Sequence, residues 1–328
     1  MRRSLATLAA VFAVTALTAG AARAAEPLDL DLTRLGAPTA GVWAPFVSPG
    51  WVPGDPLPAA AIQLAGDARV RFARLSSDLA LAFSAPLTQP GSTTGYSGFA
   101  FGFEATYAQV HHGVIGTAAG GFTPTDSWVT REMKPNELFI PAVHVRKALP
   151  FSIELGGRFM YLSQSSYYGA QIEAKWALLE GFQYLPDVAV RGAYTMMLSQ
   201  RDLRLHTTEF GGIVSKRFGV NAVTSFTPYL AARFTTMGAS TGVMAFRPED
   251  TTGGGTPNPA PFATSAAFPA LSALFYRTTA GLRLTSFATF LDAEVTYYGG
   301  GGFKAKDAAP AYRVPVSVTG AFKFGFEF

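Results

Sequence analysis

The last sixteen residues carry the clearest pattern in the chain. Val314, Val316, Val318, Gly320, Phe322, Phe324, Phe326 and Phe328 fall on one face, and Arg313, Pro315, Ser317, Thr319, Ala321, Lys323, Gly325 and Glu327 on the other. A period of two is that of a β-strand. A strand apolar on one side and polar on the other suits a wall between lipid and a polar lumen. Read backwards, the same pattern places strands near 97–110, 137–149, 151–164, 167–180, 187–200, 203–217, 226–244, 270–285, 287–300 and 313–328. Each is longer than the roughly 9–11 residues that a tilted transmembrane strand needs.

The connections alternate too. Leu149-Pro150, Glu180 to Pro186, Phe218 to Ser225 and Ser286 are short turns, whereas His111 to Asn136 and Ala245 to Pro269 are long and Gly301 to Tyr312 is intermediate. Short turns on one side and long loops on the other are expected of a transmembrane barrel. The even count brings both ends of the barrel to the short-turn side. Residues 97–328 are therefore expected to form an all-β fold, an antiparallel up-and-down transmembrane β-barrel of about ten strands. Twelve strands are the alternative, should 68–84 add a hairpin to the wall.

Residues 25–96 differ in character. Seven of the 22 prolines lie between Pro27 and Pro58, with Trp43 and Trp51 among them. Proline this dense excludes a central strand, so the segment is expected to be irregular and periplasmic, or a plug in the lumen. Over 67–85, Phe72, Leu75, Leu79 and Ala82 or Phe83 recur at helical spacing, although Leu79, Leu81 and Phe83 also alternate. A helix is favoured, because two Ser and an Asp interrupt any strand and Asp67 resembles a cap. It would lie under the barrel mouth or enter it.

The first residues read as a signal peptide: basic Met1-Arg2-Arg3, an apolar run from Leu5 to Thr18, and Ala22-Arg23-Ala24 as the site of cleavage before Ala25. The run is shorter than a spanning helix of about 20 residues. No later segment offers such a span, and an exported apolar chain without one can still enter a membrane as a closed barrel. Charged residues make up 15% of the 328, against about 25% in an average soluble domain. The 26 basic and 22 acidic residues give +4; losing Arg2, Arg3 and Arg23 leaves 23 against 22, or +1. That balance offers nothing to a nucleic-acid partner. The absence of cysteine excludes a disulfide scaffold, a thiolate metal site and a Cys nucleophile.

Projected inward, the alternation lines a lumen with Glu104, His144, Arg146, Glu154, Arg158, Gln171, Glu173, Lys175, Arg191, Arg204, His206, Arg233, Arg277, Arg283, Asp292 and Glu294. Such a field either pairs up and fills a narrow ring or lines a narrow conduit with a mild preference for anions. Tyr161, Tyr167, Tyr168, Tyr194, Tyr276, Tyr297 and Tyr298 fall near strand ends, as interfacial girdles do. Gly156-Gly157 reads as a bend or bulge. Enzymatic constellations are thin. His111-His112 would need Asp126 or Glu132 to hold a metal, and His206 lies near Ser199, Thr207 and Glu209, but no HExxH, phosphate loop or dinucleotide fingerprint is present. No enzyme, catalytic residue, metal or cofactor is expected.

The signal peptide, the alternation and the terminal Phe322, Phe324, Phe326 and Phe328 together resemble the Gram-negative outer-membrane β-barrel proteins. The resemblance implies an outer-membrane location, surrounding lipid, and periplasmic chaperones and the barrel-assembly machinery as partners in biogenesis. The four phenylalanines would be the assembly signal. The place of 25–96 also resembles that of the N-terminal plug in fatty-acid-transporter barrels. This chain is shorter and lacks their plug motif, so no binding residues carry over. The function expected is passage of small solutes, hydrophobic ones included, through a channel or transporter gated by 25–96. The alternative is a structural or surface-interaction barrel acting through its long outer loops.

Overall fold

The computed structural model describes residues 26–84, 89–111, 127–130, 134–198, 202–246, 265–305, 313–314 and 316–328, so the signal peptide lies outside the described residues. Ten long strands form the wall: β1 (Phe99–Gln109), β2 (Glu137–Leu149), β3 (Ile153–Tyr161), β4 (Tyr168–Leu179), β5 (Asp187–Met197), β6 (Leu203–Ser215), β7 (Thr224–Thr241), β8 (Leu271–Ser286), β9 (Thr289–Ala305) and β10 (Ser317–Glu327). Each pairs antiparallel with the next, and β10 closes on β1 with Lys323 opposite Glu104. Phe99 and Phe328 exchange backbone hydrogen bonds of 2.9 and 2.8 Å at the seam. Closure leaves no unpaired edge along the ring, which a barrel in lipid requires.

Alternation follows the residue types. In β10 Ser317, Thr319, Ala321 and Lys323 are buried inside, while Val318, Phe322, Phe324 and Phe326 are exposed on the outer face. Aromatic side chains band both rims of that face. Tyr107 packs on Phe139 at 4.9 Å and Phe234 on Tyr276 at 5.3 Å toward the long connections. Phe151, Tyr184, Phe287 and Phe328 stand exposed at the short-turn end. We call the short-turn end inner and the other outer.

The twelve-strand alternative does not hold, because 68–83 belongs to a helix. Helix α1 (Ala40–Val47) is short, and α2 runs over Ala59–Phe83. The latter begins earlier than the spacing of large apolar residues indicates. Pro58 precedes it, and Ala59-Ala60-Ala61, the best helix-forming residue type, supplies its first turn. Asp67 is thus a mid-helix residue and not a cap. Ala61, Leu64, Ala65, Ala68, Phe72, Leu75 and Leu79 form its buried stripe. From Leu75 to Phe83 every residue is buried, since the ring surrounds the helix.

Residues 26–35 sit at the outer end, not below the barrel. Leu28 N–H donates to Gln164 O, Asp29 accepts from Ser166, and Leu30 N–H donates to the Tyr167 hydroxyl at 2.7 Å. Burial pushes the pKa of that phenol upward. Arg34 donates to Thr130 O at 2.6 Å. The chain therefore enters at the outer rim and descends through the ring before joining β1 at the inner end.

Candidate functional site

The lumen and the segment threaded through it form the site. Phe72 stacks on Phe268, in the β7–β8 connection, at 4.5 Å. The eleven-residue rise from Phe72 to Phe83 is about 17 Å, roughly half of a ~30 Å hydrocarbon core. Around it the wall turns aliphatic residues inward: Leu138, Ile140, Met160, Leu203, Leu205, Met237 and Phe275 join one apolar cluster with Leu75, Leu79 and Phe83. Helix and wall touch at Gly169, where a Cβ would stand 2.6 Å from the Phe83 ring, so a larger residue would push the helix aside. The helix ends at mid-height. Arg277 donates to Ser84 Oγ at 2.9 Å and to Ser84 O at 2.6 Å, and Tyr298 donates to Leu81 O at 3.4 Å.

Below Ser84 the interior is charged. Glu104 meets Arg158, Lys323 (2.8 Å) and His144 (2.9 Å). Glu173 meets His144 (3.0 Å) and Arg191, and Glu154 meets Arg146 and Lys175, both at 3.0 Å. Glu209 is shared by Arg277, Arg233 and Arg191. Arg283 grips Asp292 with two hydrogen bonds of 2.7 and 2.8 Å. Charge is thus compensated from strand to strand across the wall. Residues 89–94 run through this field as an irregular segment that bends at Gly91, Ser92 and Thr94. Gln89 bonds Glu173 (2.6 Å) and Arg146. Lys175 donates to Ser92 O (2.9 Å), Gly91 N–H donates to Ser215 Oγ (2.8 Å), and Thr93 and Thr94 N–H donate to Glu180 (2.8 Å) and Glu154 (3.1 Å).

The structure buries Glu104, His144, Arg146, Glu154, Arg158, Gln171, Glu173, Lys175, Arg191, Arg233, Arg277, Arg283, Asp292 and Glu294 on the inner face. Arg204 and His206 are corrections: both are exposed on the outer face of β6, while Leu203, Leu205, Thr207 and Glu209 point inward. The lumen at that height holds an apolar helix, so the apolar residues of the strand face in. Glu209, the shared counter-ion, is the lumenal residue that the sequence reading missed, because placing Arg204 inside fixes the opposite phase. His206 and Glu209 stand on opposite faces and assemble no triad; Ser199 lies outside the described residues. Tyr167 and Tyr298 are buried and do not belong to a girdle. Gly156 and Gly157 keep a continuous register with both neighbouring strands, without a bulge. A Cβ on Gly156 would stand 2.7 Å from Glu173, for which the glycine makes room.

The Asp126 and Glu132 that a metal at His111-His112 would need lie outside the described residues, as does His112. At the outer mouth His111 Nδ1 is 2.9 Å from Asp78 Oδ1 on α2 and its Nε2 is 2.9 Å from Val316 O. Trp128 Nε1–H donates to Asp78 Oδ2 at 2.9 Å. Phe322, Phe324 and Phe326 point to the exterior, and Phe328 is exposed at the inner seam.

No family model and no curated protein matches the chain. Solved structures similar to it include Ail, the attachment invasion locus protein of Yersinia pestis, at 15% identity over 71% of this chain and all of that one, with a TM-score of 0.25. Neisserial surface protein A is 11% identical over 70% of this chain and 95% of that one, TM-score 0.25. Outer membrane protein OprG from Pseudomonas aeruginosa is 9% identical over 73% and 99%, TM-score 0.28. In fold, this chain is a closed antiparallel ten-strand barrel.

Proposed function

We propose that the protein is a plugged outer-membrane conduit for small solutes, with residues 59–96 as a plug that moves. One observation carries this reading: residues 89–94, which cross the charged half of the lumen, contain no charged residue. The wall's carboxylates and cations meet one another, and the segment brings no charge of its own: Lys175, Arg146, Glu154 and Glu180 of the wall bond its backbone and the Gln89 amide. Withdrawing it would strand no ion pair, and water entering behind it would satisfy the groups it leaves. A ring of about eight strands fills itself with side chains; ten leave room for a helix and, once vacated, for solute. The exposed outer face would be solvated by outer-membrane lipid, with Phe322, Phe324, Phe326 and Phe328 presented to the assembly machinery during insertion.

The test is conductance in planar bilayers. The full chain, a form lacking residues 26–96, and a Gly91→Cys/Ser215→Cys form would be compared. A Cβ on Gly91 would lie 3.3 Å from Ser215 Oγ, which places the two cysteines within bridging range. The deleted form is expected to conduct, and the oxidised double-cysteine form to be silent until reduced. A deleted form that folds as a barrel and stays silent would overturn the reading and make the interior a static packed core.

A further inference from the structure

His111 joins three parts of the molecule: it ends the run of β1, bonds α2 through Asp78, and bonds the residue before β10 through Val316 O. Its backbone N–H also faces Asp78 Oδ2 at 3.3 Å. Both ring nitrogens thus face oxygens that only accept. A neutral imidazole carries one N–H and satisfies one of them; the imidazolium carries two and satisfies both. We propose that His111 and Asp78 form a proton-operated latch, which holds α2 in the lumen while His111 is charged and loosens that hold when the proton leaves. This rests on the reading of 59–96 as a movable plug and adds its regulation.

The surroundings set the direction. Among the described residues, the charged groups facing His111 are Asp78 and Arg74 of α2; the segment before β10 presents the Val316 carbonyl, and the Trp128 indole bonds Asp78, neither of which titrates. The hydrogen bond that the His111 ring donates to Asp78, with the Asp78 charge and the Val316 carbonyl, outweighs burial and Arg74, and raises the pKa of His111 above its ordinary value near 6.5. A raised histidine contributes fully below about pH 6.5 and loses its contribution as pH rises through the folded-state value. After the proton leaves, Asp78 still accepts from Trp128 and the His111 backbone N–H, so α2 is held more loosely without an orphaned carboxylate.

The experiment uses the full chain with Ser76→Cys. The protein has no other thiol, and the Ser76 hydroxyl is buried with no hydrogen-bond partner among the described residues, so the change disturbs little. Labelling by a membrane-impermeant maleimide is followed from about pH 5 to about pH 9. Each rate is divided by that of the unfolded protein at the same pH, which removes the titration of the thiol itself. The normalised rate is expected to rise about tenfold, ~1.4 kcal/mol, in one step whose midpoint lies above pH 6.5 and matches the His111 imidazole titration seen by NMR. With His111→Gln added, the profile should be flat. A flat profile with His111 present, a midpoint that departs from the His111 titration, or an unchanged step in a folded His111→Gln barrel would each overturn the latch. A barrel deleted of 26–96 that stays silent, beside an intact pH step, would sink the conduit and leave the latch standing.

Discussion

The two halves of the lumen are filled by different means. The outer half is an ordinary apolar core wrapped inside out: a helix sits at the centre, and aliphatic residues of β2, β3, β6 and β7 close on it. The inner half holds an irregular uncharged stretch of chain in a ring of paired charges. Apolar contact is non-directional and tolerates repacking. Buried ion pairs tolerate little, since removing one partner leaves the other uncompensated. The same chain therefore offers a half that can slide and a half that must stay paired.

The largest effect should come from the charged half. Glu209→Ala leaves Arg191, Arg233 and Arg277 without the carboxylate they share. It is expected to cost about 3–5 kcal/mol, read from urea unfolding of the detergent-folded barrel by heat-modifiable gel mobility. A loss below about 1 kcal/mol, the range of exposed pairs, would mean that water already reaches these groups and that the contrast between the halves is false.

Next comes the apolar half. Leu79 is fully buried between helix and wall. Leu79→Ala should cost about 2–4 kcal/mol through lost burial and the cavity left behind. Leu79→Met, which keeps the volume, should cost less than about 1.5 kcal/mol. The same unfolding measurement checks both. Equal losses for the two would show that the helix is held by exact fit and not by apolar area, and would weaken its case as a sliding element.

The difference between the halves also explains what the sequence revealed. Strand positions follow from local alternation, and all ten strands lie within a few residues of where the pattern puts them. The charged interior was legible for the same reason: Glu154, Arg158, Glu173 and Lys175 sit at alternate positions in strands that are plainly apolar on the other face. The outer half was not legible. A lumen polar throughout puts Arg204 and His206 inside, whereas a helix inside reverses the choice, and nothing near Leu203 in sequence announces that helix. Its first turns carry small residues and little periodicity. Tyr298 reads as a rim aromatic because the pattern ends its strand at 300, whereas β9 runs to Ala305 and the phenol turns inward to Arg277. Such errors arise where a face is set by a partner far along the chain.

Arg71 is the exception that sharpens the contrast. It lies on α2 in the apolar half, is fully buried, and none of its guanidinium nitrogens has a hydrogen-bond partner among the described residues. Asp67, one turn earlier, acts on it through space but makes no hydrogen bond to it. In the inner half a cation this deep is gripped by a carboxylate on a neighbouring strand; here the charge is only partly compensated, which is costly. Arg71→Met keeps the length of the aliphatic stem and removes the charge. It should raise stability by about 1–2 kcal/mol, seen as a higher urea midpoint at unchanged slope. A lower midpoint would show that the guanidinium has a counter-ion from solution. The outer half would then hold an anion where the sequence of its lining suggests only packing.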